Sequence, residues 1–364
     1  MHRLTAQDAR RIAVRAQLLA GPRPTGLDET VRHLTLLQHD PTTAVAPSAD
    51  LVAWTRLGAS YSLGDVEQAW ETGRLIELDQ MLRPAEDIAL FTAEMAAWPT
   101  TDVPDEVVRW LDANDDCRGE ILDRLHDEGP LPSADLPDSI AVPWRSGGWN
   151  DDRSVRMLLG LMAARGEVAV AGREGRATMW DLAERVYPDL PSMPLEEAHR
   201  VRAERRLTAL GIARAKSAKT PNEPDHVGEV GEEAVVEGVR GRWRVDPAYL
   251  QDDSAGRVAI LSPLDRLIFD RRRMAELWGF DYQLEMYKPK AKRRFGYWAM
   301  PVLDGEELVG KVDSIAERDR GVLRLDAVHQ DGAWTQARRR AVGEELEALA
   351  GFLGLVLERS GPEH

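Results

Sequence analysis

The stretch Glu167-Val168-Ala169-Val170-Ala171-Gly172-Arg173 alternates larger and smaller side chains, turns at Glu174-Gly175 and returns through Arg176-Ala177-Thr178-Met179-Trp180. Alternation with a period of two sends successive side chains to opposite faces of a strand, and a Gly-containing turn between two such runs marks a hairpin. Helical patterns precede it over residues 107–114, 118–127 and 151–165, the last two separated by a Pro-rich connection over 131–143. Three helices followed by a hairpin is the element order of a winged helix, and Arg173 and Arg176 then stand at the basic tip of the wing.

The same order extends in both directions. Upstream, Thr5-Ala6-Gln7-Asp8 has the form of a capping box with Asp in place of Glu, and Ile12, Ala16 and Leu19 follow at helical spacing up to Gly21-Pro22. A second helix carries Leu27, Val31, Leu34 and Leu37 on one face, with Asp28 and Glu29 at its start and Pro41 as its stop. A third covers residues 47–57, with Ser48 as N-cap and Leu51, Trp54 and Leu57 three apart, and a short strand pair follows over 73–82. Downstream, a basic helix over 195–210 precedes strands at 233–239 and 242–245 joined at Arg240-Gly241. From residue 257 short strands at 280–287, 296–303, 307–313 and 322–328 point to a small antiparallel barrel or curled sheet, followed by a final helix over 336–358. The expectation is an α+β protein with tandem winged-helix (helix-turn-helix) units over 1–100, 101–190 and 191–256 and a C-terminal antiparallel β-barrel over 257–364. The repetition is one of element order, not of sequence, and residues 221–231, rich in Pro, Glu and Gly, read as a mobile loop.

Charge is distributed unevenly. The net charge is −15, but residues 101–140 hold a local balance of −9, residues 199–219 of +6 and residues 270–295 of +4. An acidic total therefore leaves room for a positive face, although a charge run can equally be a solvated surface. Lys288-Pro289-Lys290-Ala291-Lys292-Arg293-Arg294 places five cations on one connection stiffened by Pro289, a composition suited to phosphate. With Cys117 as the single cysteine, neither an intrachain disulfide framework nor a cysteine-rich zinc site is available, which fits a reducing cytoplasm. The eight histidines lack metal-site spacing, so no metal and no cofactor are expected. The first 15 residues are too charged for a signal peptide, and no run approaches the roughly 20 apolar residues that span a bilayer. Trp54, Trp70, Trp180 and Trp278 occupy apolar positions and read as core.

The chemistry-bearing candidate is Leu36-Leu37-Gln38-His39-Asp40-Pro41, read as a helix end stopped by Pro41. An amide that orients water beside a carboxylate that polarises it is a minimal hydrolytic pair. The other reading is that Asp40 caps the turn Asp40-Pro41-Thr42-Thr43.

Several motifs together carry a resemblance. Gln38-His39-Asp40-Pro41, the stretch from Asp50 to Leu57, Leu261-Ser262-Pro263-Leu264-Asp265, Asp270-Arg271-Arg272, Gly279-Phe280-Asp281-Tyr282, Lys292-Arg293-Arg294-Phe295-Gly296-Tyr297 and Gly310-Lys311-Val312-Asp313 resemble the winged-helix DNA glycosylases of the AlkZ and YcaQ type. The resemblance implies three winged-helix units with a C-terminal β-barrel, double-stranded DNA with alkylated guanine as partner, excision of N7-alkylguanine and the unhooking of interstrand crosslinks. The family's motif of Gln, an apolar residue, then Gln or Asp falls on Gln38, His39 and Asp40, making Gln38 and Asp40 the catalytic candidates of an Asp-bearing branch. Two departures stand out: His39 replaces an aliphatic residue, and Glu77-Leu78-Asp79-Gln80 lacks the tryptophan and histidine of the YcaQ type. A monomer is expected. A non-catalytic winged-helix regulator is the alternative, and it would prefer one duplex sequence where a glycosylase ignores sequence and releases a base.

Overall fold

A computed structural model describes residues 1–100, 102–145, 154–217, 223–251, 254 and 256–359. The start of the helix expected over 151–165, the first residues of the 221–231 loop and Lys219 of the basic stretch lie outside the described residues. The chain forms two compact units, one from Met1–Gln68 with Ala203–His364 and one from Ala69–Arg202. The secondary structure is mixed α+β.

In the first unit the helix Ala6–Ala16 opens on the expected capping box: the Thr5 hydroxyl accepts the Asp8 N–H, and the Asp8 carboxylate accepts the Thr5 N–H. The strand His2–Leu4 before it pairs in parallel with Glu232–Val236, which pairs antiparallel with Trp243–Val245, and Ile212–Ala213 completes the four-stranded sheet. Ile12, Leu19, Trp243, Phe280, Tyr282 and Leu303 share one core, so the N-terminal helix and the C-terminal segment bury their apolar faces together.

The C-terminal sheet has five strands in the order Ala259–Ile260, Ala299–Asp304, Glu307–Glu317, Val322–Gln330 and Val356–Arg359. It is an open mixed sheet and not the closed antiparallel barrel expected. The last helix spans Gln336–Phe352, ends where Gly354 takes the left-handed conformation (φ 69°), and the chain returns as a strand parallel to Val322–Gln330. A helical crossover between neighbouring strands enforces that parallel pairing. No strand forms over 280–287, where the chain closes on itself around Glu285 instead.

The second unit holds the helices Asp105–Asp112, Asp115–Glu128 and Ser154–Ala164, packed through Cys117, Ile121, Leu125, Leu158 and Met162 against Val168. The hairpin Val168–Glu174 with Ala177–Leu182 forms as its alternation requires, with a register shift between Val170 and Gly172. A second hairpin, Leu75–Leu78 with Met81–Pro84, turns at Asp79 and Gln80, both left-handed (φ 50° and 63°), and joins the first through Glu77 opposite Val170. Two consecutive left-handed residues make the turn whose twist matches antiparallel strands.

Candidate active site

The helix that leads to Gln38 ends earlier than its apolar pattern suggests. It spans Leu27–Leu34, Thr35 is left-handed (φ 68°), and Leu37–Gln38 is a short strand. Gln38 and Asp40 therefore lie on chain leaving a strand and not at a helix terminus. The stop is set by Arg266, whose guanidinium donates to the Leu34 carbonyl at 2.5 Å and to the Thr35 hydroxyl. A cation on the orphan carbonyls of a helix C-terminus meets both their hydrogen bonding and the negative end of the dipole. Because residues two apart in extended chain share a side, leaving the helix at Thr35 is what allows the two side chains to serve one site.

Gln38 and Asp40 are both half-buried, while His39 between them is 9% exposed and turns inward. His39 thus takes the interior place that an aliphatic residue would fill. Asp40 Oδ1 accepts the Thr42 N–H at 2.8 Å, so the turn-capping role is present, and it uses one of the two carboxylate oxygens. No described residue donates to the other. Gln38 Oε1 is sealed from solvent and has no hydrogen-bond donor among the described residues. Polar atoms in that situation are the exception in folded proteins, and a bound water or reactant is one way such an atom is satisfied.

The surrounding scaffold is built largely from the other motifs. The turn after Asp40 is tied down by the Ala316 N–H donating to the Ala44 carbonyl at 2.9 Å and by Arg318 donating to the Val45 carbonyl at 3.2 Å. Ser48, the first residue of the helix Ser48–Leu57 and not its cap, bonds through its hydroxyl to that of Ser262 at 2.7 Å. Arg56 and Asp265, both fully buried, form a two-pronged ion pair, and Arg56 also donates to the Gln17 carbonyl at 3.0 Å. Asp50 accepts the Tyr61 hydroxyl at 2.6 Å; burial first and Asp50 second push that phenol well above its ordinary range. Trp54 stacks on Phe352 with centroids 5.3 Å apart, a core role as expected. Beside Arg266, Glu223 pairs with Arg206 at 2.9 Å, and the Asp225 carboxyl is pushed up to about 6 by burial and Asp270, against the pull of Arg266 and Arg273.

The basic segments divide into engaged and free cations. Of the helix Leu195–Leu210, Arg202 pairs with Glu94 and lies over Phe91, and Arg206 pairs with Glu223, so much of that charge is spent on internal partners. In the hairpin, Arg173 pairs with Glu77 at 3.5 Å, whereas Arg176 at the turn is exposed with no described partner. In the 288–294 loop, Lys288 donates to Gln283 at 2.7 Å and Glu285 at 2.8 Å, Arg293 to the Lys288 carbonyl at 2.9 Å, and Arg294 to Asp281. Lys290 and Lys292, on a single 3-10 turn, are exposed with no described partner. Glu285, 3% exposed, is the latch. It accepts the backbone N–H groups of Arg294 and Phe295 at 2.6 and 2.8 Å, and although burial pushes its pKa up, these bonds and Lys288 hold it below the ordinary value. Gly296 closes the loop at φ 122°, where an added Cβ would lie 1.9 Å from the Asp313 carboxylate, so only glycine fits. Sequence reasoning missed Arg266 and Glu285; the one signal for Arg266 was its position directly after Leu261–Asp265.

A half-buried amide and carboxylate lie on one strand exit, in a unit that also presents free lysines on a latched loop. The chain belongs to the AlkZ-like family, described as DNA glycosylase AlkZ-like, which it matches over residues 31–352. It is a DNA glycosylase, a DNA-binding enzyme of DNA repair. Among solved structures it is similar in fold to the Streptomyces sahachiroi DNA glycosylase AlkZ, with a TM-score of 0.63 and 15% identity, over 99% of this chain and 100% of that one. No helix among the described residues is long and apolar enough to cross a membrane.

Proposed function

We propose that this DNA glycosylase hydrolyses the N-glycosidic bond of N7-alkylguanine in double-stranded DNA, with Asp40 and Gln38 as its catalytic residues. Alkylation at N7 makes the guanine cationic, so the bond to the sugar breaks without an acid to protonate the base, which leaves as a neutral molecule. What remains is an oxocarbenium-like sugar, which the Asp40 carboxylate stabilises, and a water, which the half-buried Gln38 amide orients and Asp40 relieves of a proton as it adds. A glycosidase acting on an uncharged leaving group would need a second carboxyl as acid. The supporting observation is the pair itself: a sealed, unpartnered amide oxygen two residues from a carboxylate with one oxygen uncommitted.

On this reading the winged-helix units over 1–100, 101–190 and 191–256 are the DNA-binding frame. Lys290, Lys292 and Arg176 contact phosphate, while Lys288, Arg293, Arg294 and Arg173 shape the loop and wing that present them. Crosslinked DNA is a second substrate class of the same chemistry; a tethered guanine cannot swing fully out of the duplex, so the site must reach it without ordinary flipping. Incubation with duplex containing N7-methylguanine, followed by alkaline strand scission, is the test. Scission at the lesion supports the proposal; intact strands with every N7-alkylated duplex would overturn the substrate assignment.

A further inference from the structure

Tyr287 is 85% exposed, more than any other large apolar side chain among the described residues. Every other aromatic of the segment 280–298 is covered: Phe280, Tyr282 and Phe295 are 6–8% exposed, Trp298 is fully buried, and Tyr297 lies under Arg293 with the guanidinium 4.9 Å from its ring. The contrast is not one of loop looseness. Glu285 fastens the loop through the Arg294 and Phe295 N–H groups and through Lys288, Arg293 ties back to the Lys288 carbonyl, and Pro289 fixes the next turn. A phenol ring is therefore held out in water on a closed loop whose free cations, Lys290 and Lys292, follow it by three and five positions on the next turn. Aromatic rings beside phosphate-binding cations are the combination that receives an unstacked base, since every base offers a π-face and the lysines take the adjoining phosphates.

We infer that Tyr287 is a base-stacking residue: when the loop engages the duplex, its ring packs on a base left exposed where stacking is broken at the lesion. This rests on the DNA glycosylase reading and adds to it a residue that gains affinity from broken stacking and not from charge. A solvent-exposed ring can be removed without disturbing the core, so the variants fold.

The experiment uses the full chain and a duplex carrying 2-aminopurine next to a tetrahydrofuran abasic analogue. Wild type and Tyr287→Phe should both change 2-aminopurine emission on binding. Tyr287→Ala should lose that change and bind about tenfold more weakly, within the range for losing one stacked base, while the slope of log K against log salt stays the same. Tyr287→Ala that binds and perturbs emission like wild type overturns the inference alone. Wild type that fails to bind any duplex overturns the DNA reading and the inference with it.

Discussion

At the scale of single residues, the sharpest constraint is the pair Arg56 and Asp265, both fully buried and joined by charge-assisted hydrogen bonds. Removing one partner strands the other charge in the interior. Arg56→Met should therefore destabilise the fold by about 3–5 kcal/mol, a fall in Tm on the order of 10 °C for a unit of this size. A melting curve superimposable on wild type would show that Asp265 is satisfied elsewhere. Asp225 gives a pH signature of opposite kind. Burial and Asp270 raise its folded pKa to about 6 from the ordinary carboxyl value of 3.8, so between those values the native state holds a proton that the unfolded chain releases. Its contribution to stability is full below about 4 and declines as pH rises through about 6. Asp225→Asn should match wild type in thermal stability near pH 4 and exceed it near pH 7; a difference that does not grow across that window would contradict the assignment.

At the scale of elements, what the sequence made legible was local and what it hid was long-range. The capping box at Thr5 and the hairpin of Val168–Glu174 with Ala177–Leu182 are set by side chains within a few positions of one another, and both formed, the hairpin turning at Gly175-Arg176, one residue later than read. The end of the helix Leu27–Leu34 was misread because the stop comes from Arg266, 232 residues further on, and no periodicity within residues 27–41 records it. His2–Leu4 and Val356–Arg359 were missed because strands of three and four residues carry too little alternation to recognise, and parallel pairing is decided by the partner. Leu37 fitted the helical spacing and is buried, but on a strand. Arg266→Ala should release the Leu34 carbonyl and let the Leu37–Gln38 strand shift, lowering base release while leaving DNA affinity unchanged. Equal single-turnover rates would mean the strand keeps its place without the cap. Charge on the 288–294 loop was legible in sum but not in availability, since three of its five cations have internal partners. Lys290→Ala with Lys292→Ala should reduce the slope of log K against log salt by about 1.8, or about 0.9 per phosphate contact. An unchanged slope would remove the loop from the interface.

At the scale of the whole molecule, a net charge of −15 sits on an enzyme whose substrate is a polyanion. The two are compatible because binding is set by where the free cations lie and not by the total. The candidate site was legible as a motif, Gln38 and Asp40, but its environment was not: the sealed amide oxygen, the inward His39 and the uncommitted carboxylate oxygen are properties of the folded chain that no spacing within residues 36–43 records. The central claim is that one carboxylate carries the chemistry and contributes little to binding. Asp40→Asn keeps the shape and the turn but removes the charge that stabilises the sugar cation, and Gln38→Ala should lose less because water still reaches the sugar. The direct measurement is single-turnover release of N7-methylguanine by wild type and Asp40→Asn, with DNA affinity recorded alongside. The account predicts a loss of at least about a hundredfold in rate at unchanged affinity; equal rates would reduce Asp40 to the cap of its turn and contradict it.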